Sequence, residues 1–501
     1  MNQALKNQGN TMLALNQLSP GDAWKPWQPE AGNPWSLKWA AHLYRRAAFG
    51  SPPHDPAAGA WEGLQRAVKD GPEATLDRLF AAGPDLAAFD QMMNDVAPRM
   101  ARQDGRFRRF GVETPNHEIV AWWLYGIVYS PHPLRERLTL FWHNHFATSI
   151  AKVRQAELML KQNQTLRDLA LGKFRPLLLA VSRDPAMLLW LDSNSNVKAY
   201  PNENYARELF ELFSLGVGNY TEKDIKEAAR AFTGWHTDGQ DFAFNQAQHD
   251  GGAKTVLGQS GNLDGGDIVR IALEMPACAR FLVRKLYRQF ISETEPPPDA
   301  LLEPLADQLR QSEYDIGAVV RTMLRSRLFF SEHAYRKRIK APVEYAVGLF
   351  RSLGGQVSLE ALAANLDGLG QNLFAPPNVK GWDGGKAWLN SATLLARHNL
   401  AWSLVGSDTI TVADRNPFGG GSTSHELKLK HLDLIKEHGG QEPAGQVAFL
   451  LDLFLQGDVN PQAHKKLAAF LADGSPKEKD WENRVRETAH TILLMPEYQM
   501  A

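Results

Sequence analysis

The sequence predicts a mainly α-helical fold, with one large helical core and a single short β-hairpin inserted in it. Apolar residues recur at three- and four-residue intervals through most of the 501 residues, which is typical of amphipathic helices. The pattern changes at residues 241–258, where brief alternation around Asp250-Gly251-Gly252 predicts a hairpin. With 44% hydrophobic residues, a chain of this length can bury a large core.

The composition excludes several classes of partner and site. The net charge is −1, so no global field attracts nucleic acid or an anionic membrane surface. No stretch reaches the ~18 consecutive apolar residues of a membrane-spanning helix. The single cysteine, Cys278, excludes an internal disulfide and a Cys-rich zinc site. Its helical spacing with Phe281 and Leu282 indicates a core position.

Residues 1–35 predict an extended aromatic arm. Trp24, Trp27 and Trp35 alternate with prolines, which prevent a regular helix. We expect the arm to lie over a groove, with its indoles as anchors. The first residues carry one lysine and no apolar run long enough for a signal peptide, so a cytoplasmic location is the default expectation.

The rest of the chain divides into three predicted parts. A helical core covers residues 36–400, and its first helix stops near Gly50. Residues 401–425 form a linker, because they contain the one Gly/Ser-rich run of the sequence. Residues 426–501 again show helical periodicity, and we expect this segment to pack onto the core.

The segment after Asn202 predicts a helix with an unusual polar face. One side is apolar, and the other carries a polar stripe made of Asn204, Glu208 and Glu211, with Arg207 beside it. Glu208 falls at the border of the apolar side, where partial burial raises the pKa of a carboxyl and suits it to acid/base work or metal ligation. The alternative is a ladder of surface ion pairs through Arg207, worth only ~0.3–0.5 kcal/mol each.

His143 and His145 form a His-x-His pair at the end of another predicted helix. On a regular helix they point about 200° apart, so both meet one metal ion only where the helix ends. The apolar stripe from Leu138 to Trp142 predicts that His145 continues the buried face and that His143 points elsewhere. Imidazole is the commonest ligand of Zn, Cu and Fe in proteins. The alternative is a core histidine bonded to a backbone carbonyl.

His249 and Asp250 lie at the predicted hairpin turn. Asp-Gly is ordinary turn chemistry, which explains Asp250 without any function. The turn does not require a histidine, so His249 is a candidate third ligand or base.

Several catalytic signatures are absent from the sequence. It has no Gly-x-Ser-x-Gly elbow, no Walker phosphate loop, no dinucleotide fingerprint and no His-Glu-x-x-His helix. Serine acyl transfer, nucleotide hydrolysis, nicotinamide chemistry and zincin-type proteolysis are therefore not expected.

Three of these segments together resemble the domain-of-unknown-function 1800 family. They are FWHNHFATS at 141–149, the polar-helix segment at 202–235 and HDGGAKTVLG at 249–258, and the match runs from about Ala40 to Asn399. Many relatives have a histidine where this chain has Phe213. The variant with phenylalanine followed by Gly-Asn-Tyr-Thr resembles a sub-branch of the family, so we interpret position 213 as packing. Relatives often carry a twin-arginine export signal, which this sequence lacks. The resemblance also covers residues 374–399, whose Trp382, Trp388 and Arg397 are candidates for a ligand pocket.

Taken with the resemblance, these residues predict a metal-assisted enzyme. His143, His145, His249 and Glu208 are the expected ligands of a divalent transition metal, Zn, Fe or Cu. Glu208 and Arg207 are the expected catalytic residues, and hydrolysis by a metal-activated water is the default reaction, with oxidation open for Fe or Cu. The pocket candidates are Asn204, Asp250, Trp382, Trp388 and Arg397.

The alternative is a non-catalytic scaffold or chaperone-like partner. Genes of the resembled family commonly lie beside a sulfatase-like family, which would supply that partner. In this case the polar helix is an internal hydrogen-bond network.

Overall fold

Helices make up most of the chain. The computed structural model describes residues 13–52, 60–107, 117–354, 358–406, 431–473 and 478–501. The helices in the first half of these ranges are α1 (Pro20–Ala23), α2 (Leu37–Ala48), α3 (Ala60–Asp70), α4 (Pro72–Phe80), α5 (Leu86–Phe107), α6 (His117–Tyr129), α7 (Pro133–His145), α8 (Ile150–Val153), α9 (Ala156–Asp168), α10 (Phe174–Ser182), α11 (Pro185–Trp190), α12 (Asn204–Glu208) and α13 (Glu222–Ala231).

The second half continues in the same way. Its helices are α14 (Gly265–Glu274), α15 (Pro276–Phe290), α16 (Asp299–Gln311), α17 (Ile316–Leu324), α18 (Pro342–Leu353), α19 (Leu359–Gly368), α20 (Ser391–Val405), α21 (His431–His438), α22 (Pro443–Leu455), α23 (Pro461–Ala472), α24 (Glu478–Leu494) and α25 (Pro496–Gln499). The predicted mainly α fold is confirmed. In the described ranges, no helix is both long and apolar enough to cross a membrane.

The predicted hairpin region at 241–258 contains two strands, but their partners lie just outside it, so the single predicted hairpin is replaced by two. There are four short strands, β1 (Trp235–Thr237), β2 (Phe242–Phe244), β3 (Lys254–Val256) and β4 (Gln259–Gly261). β2 pairs with β1 and β3 pairs with β4, so the segment forms two small antiparallel hairpins. Between β2 and β3 the chain forms a short 3₁₀ helix, Gln246–Gln248, instead of continuing as a strand. Asp250 then accepts a hydrogen bond from Arg230 at 2.7 Å, which ties the Asp-Gly turn to α13.

The described part of the N-terminal arm is anchored by its tryptophans. Trp24 is buried and donates through Nε1 to the carbonyl of Leu301 at 2.6 Å. Trp27 is also buried, with its ring 4.7 Å from that of Phe330. One helical turn, α1, interrupts the extended path.

The C-terminal segment joins the core through backbone bonds. The amide of Lys340 donates to the carbonyl of Gln499 at 2.8 Å, and the amide of Ala501 donates to the carbonyl of Arg338 at 2.8 Å. Helix α20 covers the first residues of the predicted linker, and residues 407–430, which hold the rest of it, lie outside the described ranges. The domain boundaries stay a prediction.

Helix α7 runs through the interior and positions the candidate site. All of its 13 residues except Phe141 and Asn144 are buried, because α2, α6 and α9 pack around it. Its charged residues are neutralised inside the protein, with Glu136 accepting from Arg167 at 2.8 Å and Arg137 paired with Glu344. A buried ion pair of this kind holds elements in one arrangement, because breaking it leaves an uncompensated charge.

Helix α12 continues directly into a π-helix, Leu209–Ser214. The π-helix ends at Ser214, and the amides of the next two residues, Leu215 and Gly216, both donate to the carbonyl of Phe210 at 2.9 Å. Gly216 has φ +80°, a left-handed conformation that suits glycine. π-helical turns are rare and often lie at functional sites.

Candidate functional site

The site forms around a cavity of about 330 Å³ between the end of α7, α15 and the loop that precedes α20. Its wall combines basic, acidic and aromatic side chains, namely His145, Lys285, Arg288, Arg338, Lys380, Glu293, Glu344, Asp383, Trp382 and Trp388. Ligand pockets of small molecules commonly have this size.

His145 lies at the last turn of α7 and links it to the π-helix. Its Nε2 is 3.0 Å from the carbonyl oxygen of Phe213, and because a carbonyl only accepts, Nε2 carries the proton. The other nitrogen, Nδ1, is therefore the acceptor and lies 3.0 Å from Nζ of Lys285. Burial and the neighbouring Lys285 hold the pKa of His145 well below its usual value. The imidazole is neutral at physiological pH.

Lys285 is the most unusual group of the cavity wall. Its Nζ donates to Nδ1 of His145 at 3.0 Å and to the carbonyl of Leu212 at 3.2 Å. Burial, and then the charge of Arg288, lower the pKa of Lys285 to about 8. Cε and these two acceptors fill three of the four tetrahedral positions of the nitrogen. The fourth position holds a lone pair or a proton, and Lys285 lines the cavity.

The cavity carries more unpaired positive than negative charge. Arg338 is compensated by Glu344 at 3.2 Å and Glu293 at 3.9 Å. By contrast, Lys285, Arg288 and Lys380 have no carboxylate within 4.0 Å in the described part of the chain, and Arg288 donates instead to the carbonyl of Asp383 at 2.6 Å. Cations without a protein counter-ion attract an anionic ligand.

Trp382 and Trp388 form the aromatic part of the wall. They are 9% and 8% exposed and both line the cavity. The loop that carries them is held against α7, because the amide of Trp382 donates to Oδ1 of Asn144 at 2.7 Å. A Cβ atom at Gly381 would lie 2.1 Å from that same oxygen, so only glycine fits there.

Glu208 lies at the junction of α12 and the π-helix, outside the cavity wall. It is half-buried, and burial followed by the charge of Glu211 raises its pKa. This direction agrees with the position of Glu208 at the border of the apolar face. The opposing charges are those of Arg207 and Lys380, and Lys380 lines the cavity. The charge of Glu208 therefore interacts with that of Lys380 at the edge of the cavity.

Arg207 and Asn204 lie on the outer side of the same helix. Arg207 donates to Glu203 at 3.0 Å and to Glu222 at 2.8 Å, and both bonds are near the surface. Surface ion pairs through Arg207 are therefore present, with Glu203 and Glu222 as the partners. Asn204 is exposed.

His143 is buried like His145, so the prediction that only His145 continues the buried face was wrong. It is 1% exposed, and its Nε2 accepts from the amide of Phe374 at 3.2 Å. Its ring lies 5.0 Å from that of Trp123 and 5.7 Å from that of Trp382. Burial lowers the pKa of His143 to about 3. The prediction failed because α7 is buried on nearly all sides, so it has no polar face for His143.

His249 and Asp250 belong to the hairpin region. Nδ1 of His249 is 2.8 Å from the carbonyl oxygen of Thr233, and Lys254 donates to the carbonyls of Asp250 and Gly252 at 2.5 and 2.9 Å. Neither His249 nor Asp250 lines the cavity.

Arg397 holds two parts of the chain together and does not line the cavity. It is buried and donates to the carbonyl of Lys340 at 2.7 Å and to the side chain of Gln499 at 3.0 Å. These bonds hold α20 against the C-terminal segment, away from the cavity wall.

The predicted metal ligands do not form a cluster. In the ranges that the structure describes, no group of three or more His, Cys, Asp or Glu side chains is arranged to hold a metal ion. His143, His145 and His249 each use a ring nitrogen for a backbone group instead. The described ranges therefore contain no set of ligands for the predicted Zn, Fe or Cu ion, and the metal stays a prediction.

The sequence analysis missed the basic residues of α15. In this helix the sequence analysis considered only Cys278, as a core residue. A signal was present, because Lys285 follows Cys278 by seven residues and Phe281 by four, which puts a lysine on the apolar face of its helix. Arg288 and Lys380 gave no such signal.

The comparisons with known proteins identify the family. No curated protein and no solved structure shows a significant match to the chain. A family model described as "Protein of unknown function (DUF1800)" matches residues 42–500. This match covers nearly the whole chain and includes every residue of the cavity wall. The chain belongs to the DUF1800 family.

Proposed function

We propose that the protein is a hydrolase of small anionic substrates in which Lys285 is the general base. The observation that carries this proposal is the position of the Lys285 amine. It is held by His145 and Leu212 at 3.0 and 3.2 Å, its pKa is lowered, and Lys285 lines a cavity with excess positive charge. Perturbed groups in a cleft are candidates for catalysis.

The lowered pKa changes how much neutral amine is available. With a pKa of about 8, roughly a tenth of the Lys285 side chains are neutral at pH 7. With the ordinary pKa of about 10.5, the neutral fraction at pH 7 is on the order of 0.03%. The protein environment thus increases the concentration of usable base by about 300-fold.

In the proposed reaction, the neutral amine of Lys285 takes a proton from water while the water oxygen attacks the scissile carbonyl carbon. The resulting oxyanion collapses, the bond to the leaving group breaks, and the Lys285 ammonium returns its proton to the leaving group, which restores the neutral amine. His145 keeps the amine in place and stays neutral. Arg288 and Lys380 bind the anionic group of the substrate, and Trp382 and Trp388 contact its apolar part.

A pair of model esters tests this mechanism. The rate of p-nitrophenol release is measured for the neutral acetate ester and for the glutarate monoester, which adds a free carboxylate. We expect saturable hydrolysis that favours the glutarate ester and rises with pH through about 8. Lys285→Met and Lys285→Arg should both abolish it, the second because it keeps the charge and loses the base. Lys223→Met, at an exposed lysine of α13, is the matched control.

Two outcomes of this test contradict the proposal. One is hydrolysis that does not saturate and is equal in the wild type and Lys285→Met. The other is activity that is lost on chelation and restored by added metal, which supports the metal-assisted hydrolase or oxidase predicted from His143, His145, His249 and Glu208. Metal content is measured on the same preparation.

The proposed catalytic role also competes with the predicted scaffold role beside a sulfatase-like protein. The scaffold role predicts that wild type and Lys285→Met bind the neighbour protein equally well. It also predicts that neither protein hydrolyses either ester.

A further inference from the structure

Two adjacent glycines, Gly384 and Gly385, lie beside the carboxylate of Glu293 at the wall of the large cavity. A Cβ atom would lie 3.9 Å from Oε2 of Glu293 if it were placed at Gly384, and 3.8 Å from the same oxygen at Gly385. These are ordinary contact distances, so a side chain at either position would cover the carboxylate. The φ angles are +75° and +55°, which favour glycine. The Gly-Gly pair therefore leaves one side of this carboxylate uncovered.

Three polar groups surround the empty space at Gly384. Apart from its chain neighbours, the heavy atoms nearest to the Cβ position of Gly384 are Nη2 of Arg288 at 3.7 Å, Oε2 of Glu293 at 3.9 Å and Nε1 of Trp388 at 3.9 Å. Gly384 and these three residues all line the cavity. Ligand sites are typically cavities in which a few polar groups converge in this way.

The hydrogen-bonding capacity of these groups is only partly used. Nε1 of Trp388 has no hydrogen-bond partner in the described part of the chain and keeps some access to solvent. Arg288 uses Nη2 for a carbonyl, whereas its Nε and Nη1 have no acceptor among the described residues. Glu293 accepts from the amide of Ile339 through Oε1, and its Oε2 accepts no hydrogen bond from a described residue. Donors and an acceptor are thus available at one place.

The chemistry of these groups selects the ligand. A hydroxyl group donates to Oε2 of Glu293 and also accepts from Nε1 of Trp388, whereas an ammonium group only donates. Glu293 already faces the guanidinium group of Arg338 at 3.9 Å, and the cavity wall has excess positive charge, so a further cation is disfavoured. The guanidinium group of Arg288 binds a carboxylate. A hydroxyl group close to a carboxylate satisfies all of these groups.

We propose that Arg288, Glu293 and Trp388 form a subsite for a hydroxycarboxylic acid. Arg288 binds the carboxylate, Trp388 donates to the hydroxyl oxygen, and the hydroxyl group donates to Oε2 of Glu293. This inference rests on the proposed function in one respect, because the hydroxy acid is taken as the acyl part of the hydrolysed substrate. The substrates are then esters or lactones of hydroxy acids.

Three acids with the same five-carbon skeleton test the subsite. The binding of 2-hydroxyglutarate, glutarate and glutamate to the wild type is measured by calorimetry at pH 7, with both enantiomers of the two chiral acids. We expect one enantiomer of 2-hydroxyglutarate to bind about 10-fold more tightly than glutarate, because it adds hydrogen bonds to charged and polar partners. Equal affinities overturn the proposal. Tightest binding of glutamate overturns it too, as does no binding of any of the three acids.

Two variants test the assigned contacts. Trp388→Phe keeps an aromatic ring and removes the N–H donor, so the preference for 2-hydroxyglutarate over glutarate should fall to about 2-fold or less. Gly385→Ala places a methyl group against the carboxylate of Glu293 and should reduce the preference in the same way. It covers the case in which Trp388→Phe does not fold. Trp402→Phe, at an exposed tryptophan outside the cavity wall, is the matched control and should keep the preference. An unchanged preference in both folded variants overturns the proposal.

These binding measurements involve no turnover, so they separate the subsite from the hydrolase. Selective binding of 2-hydroxyglutarate without hydrolysis of either model ester supports the subsite and contradicts the role of Lys285 as a general base. Hydrolysis of the glutarate ester together with equal binding of the three acids contradicts the subsite alone.

Discussion

The amine of Lys285 donates to Nδ1 of His145 across 3.0 Å, and each of the two side chains also contacts a carbonyl of the π-helix. The acceptors are adjacent, Leu212 for Lys285 and Phe213 for His145. Three elements, α7, α15 and the π-helix, therefore meet in one hydrogen-bond network at the edge of the cavity. In such a network the loss of one member leaves buried partners unsatisfied.

His145→Ala tests the structural side of this network. The change removes the donor to Phe213 and the acceptor of Lys285, and it creates a cavity among the surrounding aromatic rings. We expect the free energy of unfolding to fall by about 2–4 kcal/mol, measured by urea denaturation. A decrease below about 0.5 kcal/mol, the range of surface substitutions, would contradict the described contacts.

Lys285 should also make stability depend on pH. Its pKa in the folded protein, about 8, is below the unfolded value of 10.5, so the unfolded state binds more protons between these values. Stability therefore rises with pH across this window. The difference in unfolding free energy between wild type and Lys285→Met should shift in favour of the wild type by about 1–3 kcal/mol from pH 8 to pH 10.5. A difference that is flat with pH contradicts the lowered pKa.

Glu208→Gln tests whether the fold needs the negative charge of Glu208. The pKa of Glu208 is raised in the folded protein, so its contribution to stability is present below the unfolded value of 4.5 and is lost as pH rises through the folded value. At pH 7 the glutamine variant should be as stable as the wild type, or more stable by up to about 1 kcal/mol. Thermal unfolding at pH 7 measures this. A clear destabilisation would show that the charged form of Glu208 is needed by the fold.

Sequence periodicity was sufficient for the mainly α fold. His145 was predicted as a metal ligand, and Trp382 and Trp388 were predicted as pocket residues from the family resemblance; all three lie in the wall of this cavity, and their roles stay predictions. The position of Lys285 beside His145 depends on the packing of α15 against the π-helix, which no local pattern encodes. The π-helix was equally inaccessible, because a helical wheel assumes a regular 3.6-residue turn.

Glu344→Gln should destabilise the protein more than His145→Ala. Glu344 is buried, accepts from Arg338 at 3.2 Å and is also paired with Arg137, which is completely buried. Glutamine cannot compensate two buried guanidinium groups, so we expect a loss of about 3–5 kcal/mol in the free energy of unfolding. Glu303→Gln, at a surface ion pair with Arg280, is the control and should lose no more than about 1 kcal/mol. If Glu344→Gln and Glu303→Gln lose the same unfolding free energy, Glu344 is not needed to compensate the two buried guanidinium groups.

Direct titration of the Lys285 amine tests the central claim most closely. The protein is labelled with ¹³C-lysine, the Lys285 signal is assigned by its absence in Lys285→Arg, and the ¹³Cε shift is followed from pH 6 to pH 11. We predict a midpoint near 8, caused by burial and by the charge of Arg288. A midpoint near the ordinary value of 10.5 would contradict the account, because Lys285 would then be a solvated ammonium group at neutral pH and no general base.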